Sequence, residues 1–142
     1  MTQRVLLISI RPRFARAILA GTKTIELRRR PVNAEPGTRI ILYASTPDRA
    51  VVGTATLQGT EAREPAEAWR RYRRRLGLER QEFDAYLDGS DCAHLLLLTQ
   101  VCTLNEPLHL HRLRQDGGFR PPQSFRYVTA SDPSSLRELV TA

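Results

Sequence analysis

Residues Gly21 to Arg28 read G-T-K-T-I-E-L-R, a glycine–threonine turn followed by a run in which every second residue is apolar. Ile25 and Leu27 fall on one side of that run and Thr24, Glu26 and Arg28 on the other, which predicts a strand over 24–30. The period changes on the N-terminal side of the turn. Pro12 suits the first turn of a helix that carries Phe14, Ala17 and Ile18 on one face, leaves Arg13 and Arg16 off it, and ends at Gly21. Before that helix, R-V-L-L-I-S-I (Arg4 to Ile10) is an unbroken apolar run of the kind found in strands buried on both faces. A strand, a helix and a second strand therefore follow in order, and the Gly21 turn between the last two delivers Lys23, the chain's one lysine, beside a carboxylate and a guanidinium.

Further along, two prolines and a glycine mark 31–37 as a loop, and strands are expected over Thr38–Ala44 and Ala50–Leu57, with Gly53 marking a bulge or a close backbone approach. From Glu61 the texture turns helical: Pro65 can open a helix, and Trp69, Tyr72 and Leu76 recur as a seam. Gly77 interrupts it, Leu78–Leu87 resumes helical spacing through Phe83, Tyr86 and Leu87, and Asp88-Gly89 ends it. Ala93–Leu104 supplies the longest strand, Pro107–Leu113 a further short element, and Ser124–Thr129 a closing strand. Pro133 can then open a last helix with Leu136, Leu139 and Val140. The reading is a mixed α+β fold of five to six strands with flanking helices: one domain over 1–142 with a helical insertion at about 61–88. A small barrel would spare such a sheet its open edges.

The 142 residues suffice for one core, since a chain of that size buries roughly two thirds of its unfolded surface. Hydrophobic residues at 41% and charged residues at 26% exclude the composition of disordered chains. Lysine and arginine number 22 against 15 acidic residues, a net charge of +7. Almost all of that positive charge is arginine, whose planar fork fits phosphate and stacks on bases. Codon bias would produce the same enrichment, so composition alone leaves both readings open. Cys92 and Cys102 are the only cysteines, the chain opens M-T-Q-R without an apolar leader, and apolar runs such as Leu95–Leu98 are far too short to span a bilayer. A cytoplasmic protein without a membrane role is expected.

The string Gly21–Arg28 resembles the G-x-K-x-x-E-x-R signature of ASCH domains. The resemblance continues in order through S-I-R-P-R-F-A (Ser9–Ala15), Y-A-S-T-P (Tyr43–Pro47), V-V-G (Val51–Gly53) and P-P-Q-S-F-R-Y (Pro121–Tyr127). It implies a small PUA-like mixed β-barrel with a cleft at one mouth, lined by the signature, where RNA or a nucleotide docks. Many members look like RNA-binding modules. A branch resembles amidohydrolases acting on N4-acetylcytidine, and nuclease activity has also been proposed for the family. The amidohydrolase motif, G-x-K-T-I-T-I-R, has a threonine where this chain has Glu26, and a carboxylate beside a lysine does not replace a neutral oxygen nucleophile.

The expected site follows from these strings. Lys23, Glu26, Arg28, Tyr43, Ser45, Gln123 and Ser124 form a cleft with Arg11 beside it, while Tyr43 or Tyr127 stacks on an unpaired base. Arg70, Arg71, Arg74 and Arg75 form a basic helix face that follows a backbone outside it. If the protein is an enzyme, Lys23 and Glu26 carry the chemistry; the amidohydrolase resemblance implies a second acidic residue before the last long strand, for which Glu79 and Glu82 are the candidates, if either reaches the cleft. The expected partners are RNA, a nucleotide or a nucleoside, with single-stranded DNA also open. A binding module leads this reading, ahead of an amidohydrolase or ribonuclease and of a protein-interaction domain with a basic surface. Against it stand blander readings: a turn lysine facing water, an exposed Glu26–Arg28 pair of little consequence, and a solvated helix balanced by Glu61, Glu64, Glu67 and Glu79. Lys23 and Glu26 are placed at a polar strand end, so replacing either is expected to cost about 1 kcal/mol or less. No cofactor is expected. His94, His109, His111 and the two cysteines match no four-ligand metal spacing, so no metal is expected either.

Overall fold

The computed structural model describes residues 4–141; Met1–Gln3 and Ala142, the two ends of the expected 1–142 domain, lie outside them. Six strands form one mixed sheet: β1 (Val5–Ile10), β2 (Ile25–Arg28), β3 (Arg39–Ala44), β4 (Ala50–Arg63), β5 (Ala93–His109) and β6 (Phe125–Tyr127). Their order across the sheet is β2-β5-β4-β3-β1-β6. β1 and β3 run parallel, joined through helix α1 (Pro12–Ala20) and β2, and every other pairing is antiparallel. As expected, α1 starts on a proline and stops at Gly21, whose φ of 85° places it in the left-handed region where glycine alone is unstrained.

The sheet is strongly curled. Five inter-strand steps of about 4.8 Å would hold β2 and β6 roughly 24 Å apart if it were flat. Arg28 at the end of β2 nevertheless hydrogen-bonds the hydroxyl of Ser124, next to β6, at 2.8 Å and the carbonyl of Ser9 in β1 at 3.1 Å. Three register shifts between β4 and β5 supply the bending. Inside the curl, Leu6, Ile8, Ile40, Leu42, Leu57, Leu96 and Leu98 pack on Ala15 and Ile18 of α1. Ala15 is thus deeper than Ala17, the residue expected on that face.

The outer face of β1 and β3 is covered as well. Leu7, Ile41 and Tyr43 pack beneath Leu113 of α4 (Leu110–Asp116), Phe119 and Leu136 of α5 (Ser134–Arg137). Burial on both faces is why β1 and β3 are continuously apolar. Between β4 and β5 lie α2 (Pro65–Tyr72), a 3-10 turn over Arg73–Arg75 and α3 (Arg80–Tyr86), which close over Ile25, Leu27 and Leu95. β4 runs on to Arg63, so the helical stretch begins at Pro65 and not at Glu61. Glu61 is held in the strand by Arg63 and by the Tyr72 hydroxyl, and these donors keep its carboxyl below the usual range. No helix among the described residues is long and apolar enough to cross a membrane.

Gly53 is the close approach expected from its place in β4. A Cβ there would lie 2.6 Å from the Cys102 carbonyl oxygen and 2.6 Å from Leu19 Cδ2. Because the first of these contacts is backbone held in a ladder, Gly53→Ala is expected to lower stability by about 1–3 kcal/mol. Thermal denaturation measures it, and an unchanged Tm would show that the ladder yields there.

Candidate functional site

The Gly21 turn sends Lys23 inward, and the alternation of β2 brings Glu26 and Arg28 to the same side. The three form a row. Lys23 Nζ donates to the Leu76 carbonyl at 2.5 Å and stands 3.5 Å from Glu26 Oε1, while Arg28 donates to Glu26 Oε2 at 2.7 Å. Lys23 is 2% exposed and Glu26 6%, so neither is the polar strand-end residue expected from the sequence. The turn between α2 and α3 covers Lys23. Gly77 there, with φ of 67°, lies so close to the lysine stem that a Cβ would meet Lys23 Cβ at 3.0 Å. Burial holds the Lys23 pKa below the ordinary lysine value, the neighbouring carboxylate of Glu26 opposing that shift and Arg28 and Arg13 adding to it.

This row floors an open cleft of about 740 Å³. Arg11, Ser45, Gln123 and Ser124, all expected here, line it together with Lys23, Glu26 and Arg28. So do Ser9, Phe14, Leu78, Glu82 and Tyr86, which sequence reasoning did not assign to the site or, for Glu82, left as one of two choices. Glu82 pairs with Arg13, whose hydrogen bond, with the Glu79 backbone N–H, keeps its carboxyl below the usual range. Glu79 instead caps α3. Tyr86 is the one large hydrophobic side chain left exposed among the described residues. Its place on the rim is consistent with the helical spacing, because Phe83 and Leu87 take the buried face of α3 and turn Tyr86 aside.

Five expected residues lie elsewhere, and a sixth, Arg75, only borders the row. Tyr43 is buried on the outer face of the sheet, its ring 6.1 Å from that of Phe119, and so is not a cleft residue. Tyr127 donates to the Asn33 carbonyl at 2.5 Å beneath the Arg4 guanidinium and does not line the cleft. Arg70, Arg71, Arg74 and Arg75 do not share one helix face, because α2 ends at Tyr72. Arg70 and Arg71 are exposed on α2, Arg75 turns in to donate to the Thr24 hydroxyl at 2.8 Å, and Arg74 faces a smaller depression. Among the described residues no three His, Cys, Asp or Glu side chains gather as a metal site would require.

Comparison with known proteins adds a family to this geometry. The family described as Domain of unknown function (DUF365) matches residues 7–119. An ASCH domain-containing ribonuclease from Zymomonas mobilis is 33% identical over 135 residues, spanning 94% of this chain and 90% of that protein. Large ribosomal subunit protein uL22 of Ureaplasma parvum is 26% identical over 129 residues, 89% of this chain but 40% of that protein. The crystal structure of the Zymomonas mobilis ASCH protein is similar with a TM-score of 0.86 at 32% identity, over 96% of this chain and 95% of that one. A tyrosine-to-phenylalanine variant of that protein gives 0.87 at 31%, over 98% and 100% of the two chains.

Proposed function

This chain belongs to the ASCH-domain family and to the family described as DUF365, and from that premise we propose that its cleft binds single-stranded RNA and cleaves the bound strand. The observation that carries the reading is the row of Lys23, Glu26 and Arg28, charged and almost wholly buried at the floor of an open cleft. Buried ion pairs stabilise a fold no better than apolar side chains of the same size, so a row of them facing a cavity marks a working site. The relative named a ribonuclease, similar along nearly its full length, supports the choice of reaction.

The rim suits an unpaired strand. Arg11 meets phosphate, Gln123 both donates to and accepts from a base edge, and the exposed ring of Tyr86 offers a stacking face. The floor supplies the two proton transfers that RNA cleavage needs. Glu26 takes the proton of the ribose 2′-hydroxyl as its oxygen attacks phosphorus. Lys23 gives a proton to the departing 5′-oxygen as the P–O5′ bond breaks, leaving a 2′,3′-cyclic phosphate and a free 5′-hydroxyl. A lysine whose pKa is lowered by burial is the better proton donor. The direct Lys23–Glu26 contact then returns the proton from acid to amine. Arg28, tied to Ser9, Ser124 and Glu26, holds the carboxylate in place.

End-labelled single-stranded RNA incubated with the protein should be shortened on a denaturing gel. RNA that is bound but left whole would overturn cleavage and leave a binding module. RNA neither bound nor cut would overturn the reading altogether and favour a protein partner for the basic surface.

A further inference from the structure

Next to the cleft is a second depression of about 340 Å³, ringed by Arg13, Arg73 and Arg74 around the Gly77 turn. It shares Leu78 and Glu82 with the cleft, so the two hollows are separated by one layer of side chains. Its charge is unbalanced. Arg13 is paired with Glu82, and Glu79, which also borders the depression, is engaged by the backbone N–H of α3. Arg73 and Arg74 are exposed and, among the described residues, have neither a carboxylate nor a hydrogen-bond partner.

Packing does not explain this gathering. The Arg73–Arg75 turn contributes no buried residue, and neighbouring like charges cost the fold stability unless an anion offsets them. The turn that walls the depression is the one that covers Lys23 and accepts its hydrogen bond through Leu76. A strand held over Lys23 therefore lies one layer of side chains from these arginines.

We infer that Arg13, Arg73 and Arg74 form a phosphate subsite for the same RNA strand that occupies the cleft, so that the substrate is an oligonucleotide rather than a free nucleotide. The inference rests on the RNA reading of the cleft and extends it. 2′-O-methyluridine oligomers, which lack the attacking hydroxyl and so are bound without being cut, carry a terminal fluorophore and, from dinucleotide to octanucleotide, are titrated by fluorescence anisotropy at several salt concentrations. The wild-type affinity rises with length as the strand reaches the subsite. Arg73→Gln/Arg74→Gln loses most of that gain and flattens the salt slope by about 1.4, which is two phosphate contacts at roughly 0.7 each on single strands. Arg73→Lys/Arg74→Lys retains the slope, and Arg74→Gln alone flattens it by about 0.7, a readout that stands if the double glutamine variant does not fold. A double glutamine variant that keeps both the length gain and the slope, beside a wild type that binds RNA, overturns the subsite alone. A wild type that binds none of the oligomers overturns the subsite and the cleft reading together.

Discussion

Lys23→Met is expected to lower RNA cleavage by about 10²–10⁴-fold, the range typical for loss of a positioned proton donor, while leaving the protein folded. Methionine fills the channel beneath Gly77 without a charge and leaves Glu26 its pair with Arg28. The Leu76 carbonyl loses its donor, which costs about 1–3 kcal/mol, and removal of a buried cation offsets part of that. The pH profile separates chemistry from structure. Lys23 must carry its proton to donate it, so the wild-type rate falls as pH rises through a pKa that burial has set below the ordinary lysine value. In Lys23→Met that alkaline limb should be absent from whatever activity remains. A variant that cuts RNA at the wild-type rate with the same limb removes Lys23 from the mechanism.

The largest stability effect is expected at Glu26. Glu26→Ala leaves Lys23 and Arg28 buried without their shared carboxylate, and breaking a buried pair on one side costs about 3–5 kcal/mol. Arg28 also ties β2 to Ser9 and Ser124 across the curl, so the loosening reaches both edges of the sheet. In Lys23→Met/Glu26→Ala one of the two stranded cations is gone, and the double variant should therefore be more stable than the sum of the single losses predicts. Denaturant unfolding of the three variants measures this coupling. A loss below 1 kcal/mol in Glu26→Ala would return Glu26 to the surface role that the strand pattern first suggested.

That reversal marks where the sequence stops being informative. The period of two in β2 correctly puts Glu26 and Arg28 on the polar side and Ile25 and Leu27 on the other, and the proline and glycine at its ends delimit α1. Nothing local says that the polar side of β2 is covered. The cover is the Leu76–Gly77 turn, whose carbonyl meets Lys23 from 53 residues away, and a lysine after a glycine turn reads as exposed until that turn is placed. Tyr43 fails for the same reason with the opposite geometry: its strand was found, but α4, α5 and Phe119 close over its outer face, and no spacing within β3 announces them. The basic run was visible as charge but not as shape, because a 3-10 turn after Tyr72 points Arg74 and Arg75 in different directions. Phe14 and Tyr86 were seen as helical residues, and only the docking of α1 and α3 against the mouth of the curl makes them neighbours of the row.

On the proposed mechanism the buried row moves the two protons of an internal attack by the ribose 2′-hydroxyl. Mass spectrometry of the products from an RNA oligomer, beside the same oligomer with 2′-deoxyribose throughout, measures that most directly. Fragments ending in 2′,3′-cyclic phosphate are expected from the RNA, and the deoxy oligomer is expected to stay intact. Equal cutting of both, or fragments formed by water with no cyclic phosphate at any time, would contradict it.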